Sequence, residues 1–261
     1  MNYETPHKKY LQYADAVVGL RGKTVLEVGG CSPPDIVVAY APVSWTCINL
    51  DTHAVTNFNQ VAQTLGVPHY VAYNQDITNL EQDKKYDLIY SINSFEHIHD
   101  FDRAFEKMYE ALNPGGRLFS LFGPIWSSDV GHHLSVTSDK GEELHFFDEI
   151  LAPWEHLTST PEALQSKLEA LYDRPTAQRA VEYIYRYHDL NRLFEHEYME
   201  IIRNSNFEPV LILRRKSGTP PKVPGATSTR ELLIVLKKGY VPIWEKVLSL
   251  MKFAWTYIRY R

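Results

Sequence analysis

Short apolar runs alternate with segments of helical spacing between residues 23 and 122. This alternation is typical of βαβ units and predicts a mostly parallel sheet with helices on its faces. The predicted strands cover residues 24–28, 46–50, 69–73, 86–90 and 117–122.

The segment 101–112 carries its apolar side chains at helical spacing, and the turn sequence at 113–116 ends the pattern. We expect an amphipathic helix that packs on the sheet. Its predicted apolar face consists of Phe101, Ala104, Phe105, Met108 and Leu112.

The pattern changes after residue 122. Residues 123–154 are rich in Gly, His, Ser and Asp, and 161–205 are helical in spacing, charged and rich in tyrosine. We therefore predict an insertion that forms a helical cover over residues 125–205. Two further strands at 209–214 and 231–236 are expected to form an antiparallel closing hairpin.

The predicted fold is thus a doubly wound α/β sheet, mostly parallel, with about seven strands of which the last is antiparallel. The predicted domain spans residues 1–240 and includes the cover. A separate C-terminal helix is expected at 241–261, where apolar residues dominate and the cations are Lys246, Lys252, Arg259 and Arg261. This pattern allows two interpretations of the helix. It docks on its own domain or on a second subunit, or it lies as an amphipathic helix at a membrane surface.

Composition narrows the class of protein. The chain has 261 residues, 44% of them hydrophobic, and a formal net charge of −5. Such a chain can fill a core, which excludes disorder throughout, and its acidic balance argues against nucleic acid as partner. Two cysteines give no disulfide framework, residues 1–10 lack an apolar signal-peptide region, and no apolar run is long enough to span a bilayer. We expect a cytoplasmic protein, with peripheral membrane contact as the open alternative.

Polar residues follow several of the predicted strands. The first strand runs into the turn Gly29-Gly30-Cys31-Ser32-Pro33-Pro34, and Asp51 ends the next strand about 20 residues later, the spacing of a ribose-binding acid. Open α/β sheets bind ligands at the carboxyl ends of their strands, so these residues predict a nucleotide-like site. The remaining polar positions at strand ends are Asp76 and the segment Ser91-Ile92-Asn93.

In these motifs the sequence resembles the class I S-adenosylmethionine-dependent methyltransferases across about residues 20–125, and more loosely to 237. The matching pieces are Val25-Leu26-Glu27-Val28-Gly29-Gly30, Asn49-Leu50-Asp51, Asn74-Gln75-Asp76-Ile77, the run 86–98 and Leu112-Asn113-Pro114-Gly115-Gly116-Arg117-Leu118. The resemblance implies S-adenosylmethionine as cofactor. It further implies that Glu27 and Gly29 lie by the methionine moiety, Asp51 holds the ribose, Asp76 and Ile77 meet the adenine, and Ser91, Ile92 and Asn93 line the sulfonium side. Gly30 is also expected among the cofactor-binding residues.

Two other functions stay open. Cys31 and Pro33 stand where the family continues with glycines, which allows a domain that keeps the fold but serves as a binding or scaffold protein. A nicotinamide-dependent reductase also uses a glycine turn and a ribose-binding acid, although this loop lacks G-x-G-x-x-G.

The candidate catalytic segment follows the strand that ends at residue 122. Methyl transfer to a hydroxyl acceptor needs a base, and His133, with His132 as second choice, is the predicted base. The competing interpretations are a histidine pair hydrogen-bonded in a surface loop, and a metal site that adds Asp129 or Glu143. The pattern from Phe122 through Trp126 to His133 resembles bacterial methyltransferases of glycan and secondary-metabolite pathways, and it predicts O-methylation of a small molecule or glycan.

Overall fold

The computed structural model describes residues 4–81, 84–188, 190–221 and 223–259. The ends of the predicted domain and of the C-terminal helix, at residues 1–3 and 260–261, lie outside this part of the chain. The strands are β1 (Thr24–Val28), β2 (Ser44–Asn49), β3 (Tyr70–Asn74), β4 (Tyr86–Ile92), β5 (Leu112–Phe122), β6 (Ser135–Thr137), β7 (Glu143–His145), β8 (Glu208–Lys216) and β9 (Thr229–Lys237). The helices are α1 (Glu4–Val18), α2 (Pro34–Val37), α3 (Thr52–Thr64), α4 (Phe101–Ala111), α5 (Glu155–Thr158), α6 (Pro161–Glu169), α7 (Arg174–Arg186), α8 (Glu195–Asn204) and α9 (Ile243–Arg259).

A seven-stranded sheet of order β3-β2-β1-β4-β5-β9-β8 forms the centre of the molecule. Strands β1 to β5 pair in parallel, and β9 is antiparallel to both of its neighbours, β5 and β8. The predicted fold class, including the antiparallel last strand and the closing hairpin, is confirmed. Because β9 is antiparallel to both neighbours, the edge strand β8 points in the same direction as β5.

The two faces of the sheet are covered by separate apolar layers. Consecutive residues of a strand point to opposite faces, so Val25 belongs to the cluster with α1 and α3 whereas Leu26 belongs to the cluster with α4 and α8. Both side chains are fully buried. Burial on both faces explains why the central strands appear in the sequence as continuous apolar runs.

The predicted helical cover of 125–205 differs from the structure at both of its ends. Its first part contains the two-stranded hairpin β6–β7 instead of a helix. Its last helix, α8, buries Tyr198 and Ile202 in the cluster on the sheet and so is part of the central fold. The part of the cover before α8 has a small apolar core of its own, which includes Leu134, Leu144 and Leu168.

Helix α9 contacts α1 and β8 on the outer side of the sheet. No helix in the described residues is long and apolar enough to cross a membrane. The first turn of α9 is fixed by Glu245, which is 5% exposed and forms ion pairs with Arg117 of β5 and Lys237 of β9. Burial by itself would raise the pKa of Glu245, but its hydrogen bonds and charge interactions with these two cations lower it.

Candidate functional site

The carboxyl ends of four neighbouring strands lie side by side at one edge of the sheet. Strands β3, β2, β1 and β4 are adjacent and parallel, so the segments that follow them leave the sheet in the same direction. The Gly29 backbone N–H donates to the Ile48 carbonyl at 2.9 Å, and the Gln75 N–H donates to the Asn49 carbonyl at 3.2 Å. The structure thus brings Gly29, Asp51, Asp76 and Ser91 to one edge.

The turn after β1 requires glycine for steric reasons. Gly29 has a φ of 78°, and a Cβ there would lie 2.5 Å from Cβ of Ser94. A Cβ on Gly30 would overlap Oε1 of Glu27. Gly29 is also exposed, so its backbone is open to a ligand at this edge.

The carboxylate of Glu27 holds this turn in place. It is 2% exposed and accepts hydrogen bonds from the Ser32 hydroxyl at 2.7 Å and the Ser32 N–H at 3.0 Å. The Trp45 indole N–H donates to it at 2.7 Å and the Cys47 thiol at 3.0 Å. Because these donors come from the protein, the observed role of Glu27 is to position the loop, and its contact with a methionine moiety stays a prediction.

Two carboxylates at the edge each keep one oxygen free. Oδ1 of Asp51 accepts from the His53 N–H at 2.8 Å and so caps α3, whereas Oδ1 of Asp76 accepts from the Thr78 N–H at 2.8 Å. Among the described residues, neither Oδ2 atom has a hydrogen-bond donor within reach. Each side chain is therefore oriented by the backbone and can accept a hydrogen bond from a ligand hydroxyl.

Asn49 connects the elements of the edge, a role that the sequence analysis missed. Its amide N–H₂ donates to the Gly29 carbonyl at 3.0 Å, and its Oδ1 accepts from the Asp51 N–H at 2.9 Å. One side chain thus ties the glycine turn to the ribose-type acid. The position was visible in the motif Asn49-Leu50-Asp51, but hydrogen bonding across strands requires the register that only the structure supplies.

The remaining predicted site residues differ in how exposed their side chains are at this edge of the sheet. Ser91 is fully buried, and its hydroxyl donates to the Val28 carbonyl at 2.9 Å. Ile77 is 4% exposed and packs in the core. Ile92 is half-buried, whereas Asn93 is exposed, with a φ of 48°. Asn93 is therefore the member of the Ser91-Ile92-Asn93 segment that is best placed to meet a ligand.

The two adjacent histidines have different surroundings. The ring of His133 stands edge-on to His97, at 5.5 Å between centroids, and one of its nitrogens, Nε2, is hydrogen-bonded to the Pro124 carbonyl. His132 turns toward His156 and accepts from the Leu134 N–H through Nδ1. His133 therefore lies by the turn after β4, and its Nδ1 is left as the proton acceptor when Nε2 carries the hydrogen.

Burial keeps these histidines neutral. Desolvation lowers the pKa of His132 to about 3 and that of His133 to about 4. His156, the ring that His132 faces, also has its pKa lowered by burial to about 4. Its Nε2 is hydrogen-bonded to the Trp126 carbonyl at 2.8 Å.

Glu96 is a buried acid that the sequence analysis did not include among its site residues. It is 1% exposed; Oε1 accepts from the Gly123 N–H at 3.1 Å, and Oε2 is buried without a hydrogen-bond partner among the described residues. Desolvation raises its pKa to about 8. Perturbed acids of this kind cluster at functional sites, and their burial cannot be recognised in a sequence.

A cavity of about 720 Å³ lies between α1, α9 and the ends of β5, β8 and β9. Leu121, at the carboxyl end of β5, lines it together with Tyr10. Burial raises the pKa of Tyr10, while a hydrogen bond with Asn93 acts in the opposite direction. Since Asn93 follows β4, the cavity adjoins the polar edge of the sheet. Its other lining residues are Pro6, Lys9, Tyr13, Leu213, Arg214, Arg215, Glu231, Leu233, Phe253 and Tyr257.

The acids and histidines of the cover that the structure describes do not form a metal-binding group. Asp129 is paired with Arg230, at 2.6 and 2.8 Å between guanidinium nitrogens and carboxylate oxygens. Within the ranges that the structure describes, no group of three or more His, Cys, Asp or Glu side chains could hold a metal ion.

Comparisons with known proteins agree on one family. The family model described as "Methyltransferase domain" matches residues 6–198. An S-adenosylmethionine-dependent methyltransferase from Mesorhizobium loti superposes with a TM-score of 0.56 at 12% identity, over 88% of this chain and 97% of that one. The N-methyltransferase NodS from Bradyrhizobium japonicum WM9, in complex with S-adenosyl-L-homocysteine, gives a TM-score of 0.50 at 13% identity, over 90% of this chain and 88% of that one.

One curated relative matches over a short segment. Malonyl-[acyl-carrier protein] O-methyltransferase 1 from Ilyobacter polytropus is 44% identical over 50 residues, which is 19% of this chain. The matched segment also spans 19% of the relative's length.

Proposed function

The chain belongs to the class I S-adenosylmethionine-dependent methyltransferases, a family of enzymes, and from this premise we propose that it methylates a hydroxyl group of a small molecule or glycan. The observation that carries the proposal is the row of strand ends, where Gly29, Asp51 and Asp76 present a bare backbone and two free carboxylate oxygens.

The residues at this edge fit an adenosyl cofactor. Carboxylate oxygens that are oriented but unoccupied suit ribose hydroxyls, and we assign Asp51 to this role. Leu50, which is 68% exposed next to Asp51, offers an apolar surface for the adenine ring. The cofactor supplies a methyl group already activated on a sulfonium sulfur, so the protein has to align the acceptor and exclude water.

The cavity between α1, α9 and the sheet is the proposed site for the body of the acceptor, whose hydroxyl would extend past Asn93 toward the strand ends, because neither His133 nor Glu96 is among the residues that line the cavity. Its volume of about 720 Å³ is within the range of small-molecule sites. Most of its lining is apolar or aromatic, and Glu231 and Arg215 add an ion pair, at 3.0 Å between guanidinium nitrogen and carboxylate oxygen. Such a lining suits an amphiphilic acceptor with an apolar body and polar substituents.

We assign the proton acceptor to His133. The acceptor hydroxyl loses its proton when its oxygen is methylated, and Nδ1 of His133 would take that proton. The Pro124 carbonyl orients the ring by binding Nε2, as a general base requires. A pKa of about 4 keeps the ring unprotonated at neutral pH.

Glu96 is the second candidate for the base, because Oε2 is buried and unpartnered and its pKa is about 8. The two assignments differ in their pH profiles. With His133 as base, kcat/KM is level from about pH 5 upward; with Glu96 as base, it rises tenfold per unit up to about pH 8.

The acceptor can be found by mass spectrometry. The protein is incubated with S-adenosylmethionine carrying a deuterated methyl group and with fractionated small molecules and glycans, and products that gain the labelled methyl are identified. We expect a methyl ether. A product labelled on nitrogen or carbon would refute O-methylation while leaving the family assignment intact.

A dinucleotide-dependent reduction is disfavoured by topology. The antiparallel β9 lies between β5 and β8, whereas dinucleotide-binding sheets of the 3-2-1-4-5-6 order are parallel throughout.

A further inference from the structure

Helix α9 is docked with its polar side inward. Glu245, Ser249 and Thr256 are its buried residues, with relative exposures of 5%, 4% and 1%. Phe253 is half-buried and packs against Tyr13, but most apolar side chains of α9 point to solvent, an arrangement opposite to that of an ordinary surface helix. The exposed apolar residues of α9 are Ile243, Trp244, Val247, Leu248, Leu250, Met251, Trp255, Tyr257 and Ile258.

These side chains form one continuous face, which we call the α9 outer face. At about 100° per residue they occupy roughly half of the helix circumference. Trp244 and Trp255 are 64% and 61% exposed, and Ile258 is 79% exposed. A helix of 17 residues is about 25 Å long, so the face is extended along the surface.

Positive charges border the α9 outer face. In the same projection Lys252 lies at one border of the face and Lys246 at the other. The helix has a single acidic side chain, Glu245, which is buried in its ion pairs with Arg117 and Lys237. The exposed side of α9 is thus apolar and cationic in a chain whose net charge is −5.

We propose that the α9 outer face docks the protein on an anionic lipid surface, with the helix lying in the plane of the interface. A wide apolar face with cationic borders and tryptophans is the pattern of interfacial helices. A second copy fits less well, because a symmetric pair would bring the lysines of both borders together without an acidic partner on either helix.

Docking would bring one edge of the cavity close to the lipid. Tyr257 belongs to the α9 outer face and also lines the cavity.

Tryptophan emission offers a site-specific test. The chain has five tryptophans; Trp45, Trp126 and Trp154 are buried, so Trp244 and Trp255 are the ones that lipid contact would change. The 261-residue protein is titrated with phosphatidylcholine vesicles that contain or lack phosphatidylglycerol, and binding is measured by flotation. We expect binding to the anionic vesicles, with emission shifted to shorter wavelength.

Two variants separate the apolar from the electrostatic contribution. The double substitution Trp244→Glu and Trp255→Glu should weaken binding at least about 100-fold. The double substitution Lys246→Gln and Lys252→Gln should weaken binding to anionic vesicles about 30-fold and leave any binding to neutral vesicles unchanged. Leu171→Glu, at a side chain 61% exposed in the cover, is the matched control and should bind as the unmodified protein does.

Sedimentation velocity on the same proteins completes the test. A failure of the unmodified protein to bind anionic vesicles would overturn the proposal. The proposal would also be overturned if the protein formed a dimer that did not bind lipid and that dissociated in the double variant Trp244→Glu and Trp255→Glu. Binding of S-adenosylhomocysteine is measured in parallel, so that loss of the methyltransferase assignment is distinguished from loss of lipid docking.

Discussion

Single side chains at the strand ends combine a structural and a ligand-binding role. Asp51 and Asp76 each use one oxygen to cap a helical turn, and the other oxygen is left for a ligand. Asn49 fixes the distance between Asp51 and the Gly29 turn. The sequence identified the acids from their position after strands, but it could not identify Asn49, whose role depends on hydrogen bonds across the sheet.

Glu96 should make stability depend on pH. Its pKa is raised to about 8 in the folded protein, while an unfolded glutamate titrates near 4.5. The unfolded chain therefore releases its proton first, and stability is lost as pH rises from about 4.5 to about 8. Glu96→Gln should remove about 2 kcal/mol of this decline between about pH 6.5 and 8, measured by urea unfolding. An unchanged slope would contradict the assigned burial.

His133 should act on turnover and not on cofactor affinity. His133→Ala removes the proposed proton acceptor, so kcat on the identified acceptor should fall about 100-fold or more. The dissociation constant for S-adenosylhomocysteine, measured by calorimetry, should stay within about twofold. His132→Ala is the comparison, because His132 faces His156. Equal losses in the two variants would indicate a structural effect of the histidine pair.

At the scale of elements, patterns of burial determined which parts could be predicted. Strands β1 and β4 are buried on both faces, so their apolar runs were recognisable, and helix α4 was found from its apolar stripe. The hairpin β6–β7 was missed because its strands have only three residues each. Helix α1 was missed as well, although it buries Leu11 and Ala14.

The glycine turn offers a test of one element. In Gly30→Ala the new methyl group would overlap the Glu27 carboxylate and displace its bonds to Ser32. We expect affinity for S-adenosylhomocysteine to fall at least about tenfold and stability to fall by about 1–3 kcal/mol. Gly218→Ala, where a Cβ meets nothing within 4 Å, is the control. Unaltered affinity in Gly30→Ala would show that the turn does not shape the site.

At the scale of the whole molecule, the fold was predictable, but the orientation of its last helix was not. The sequence showed that α9 is amphipathic, and either face of the helix was compatible with packing against the domain. The ion pairs of Glu245 with Arg117 and Lys237 determine which side faces inward, and these partners are distant in sequence.

The cover should make the whole protein sensitive to acid. His132, His133 and His156 have pKa values lowered to about 3, 4 and 4, below the 6.5 of an unfolded histidine. The unfolded chain therefore binds protons first, and stability present above about pH 6.5 is lost as pH falls toward 4. Urea unfolding at pH 7 and 5 should show the loss, and His156→Gln should reduce it. Because Glu96 acts in the opposite direction over this range, the profile is measured in Glu96→Gln, where a flat result would mean that these rings are not buried.

The central claim is that one edge of the sheet binds an adenosyl cofactor. Isothermal titration of the protein with S-adenosylhomocysteine tests it, with Asp51→Ala as the variant and Glu110→Ala, at an exposed acid in the last turn of α4, as the control. The account predicts micromolar binding to the unmodified protein and to Glu110→Ala, and at least about tenfold weaker binding to Asp51→Ala. No binding at millimolar S-adenosylhomocysteine, or heat with a nicotinamide dinucleotide in its place, would contradict it.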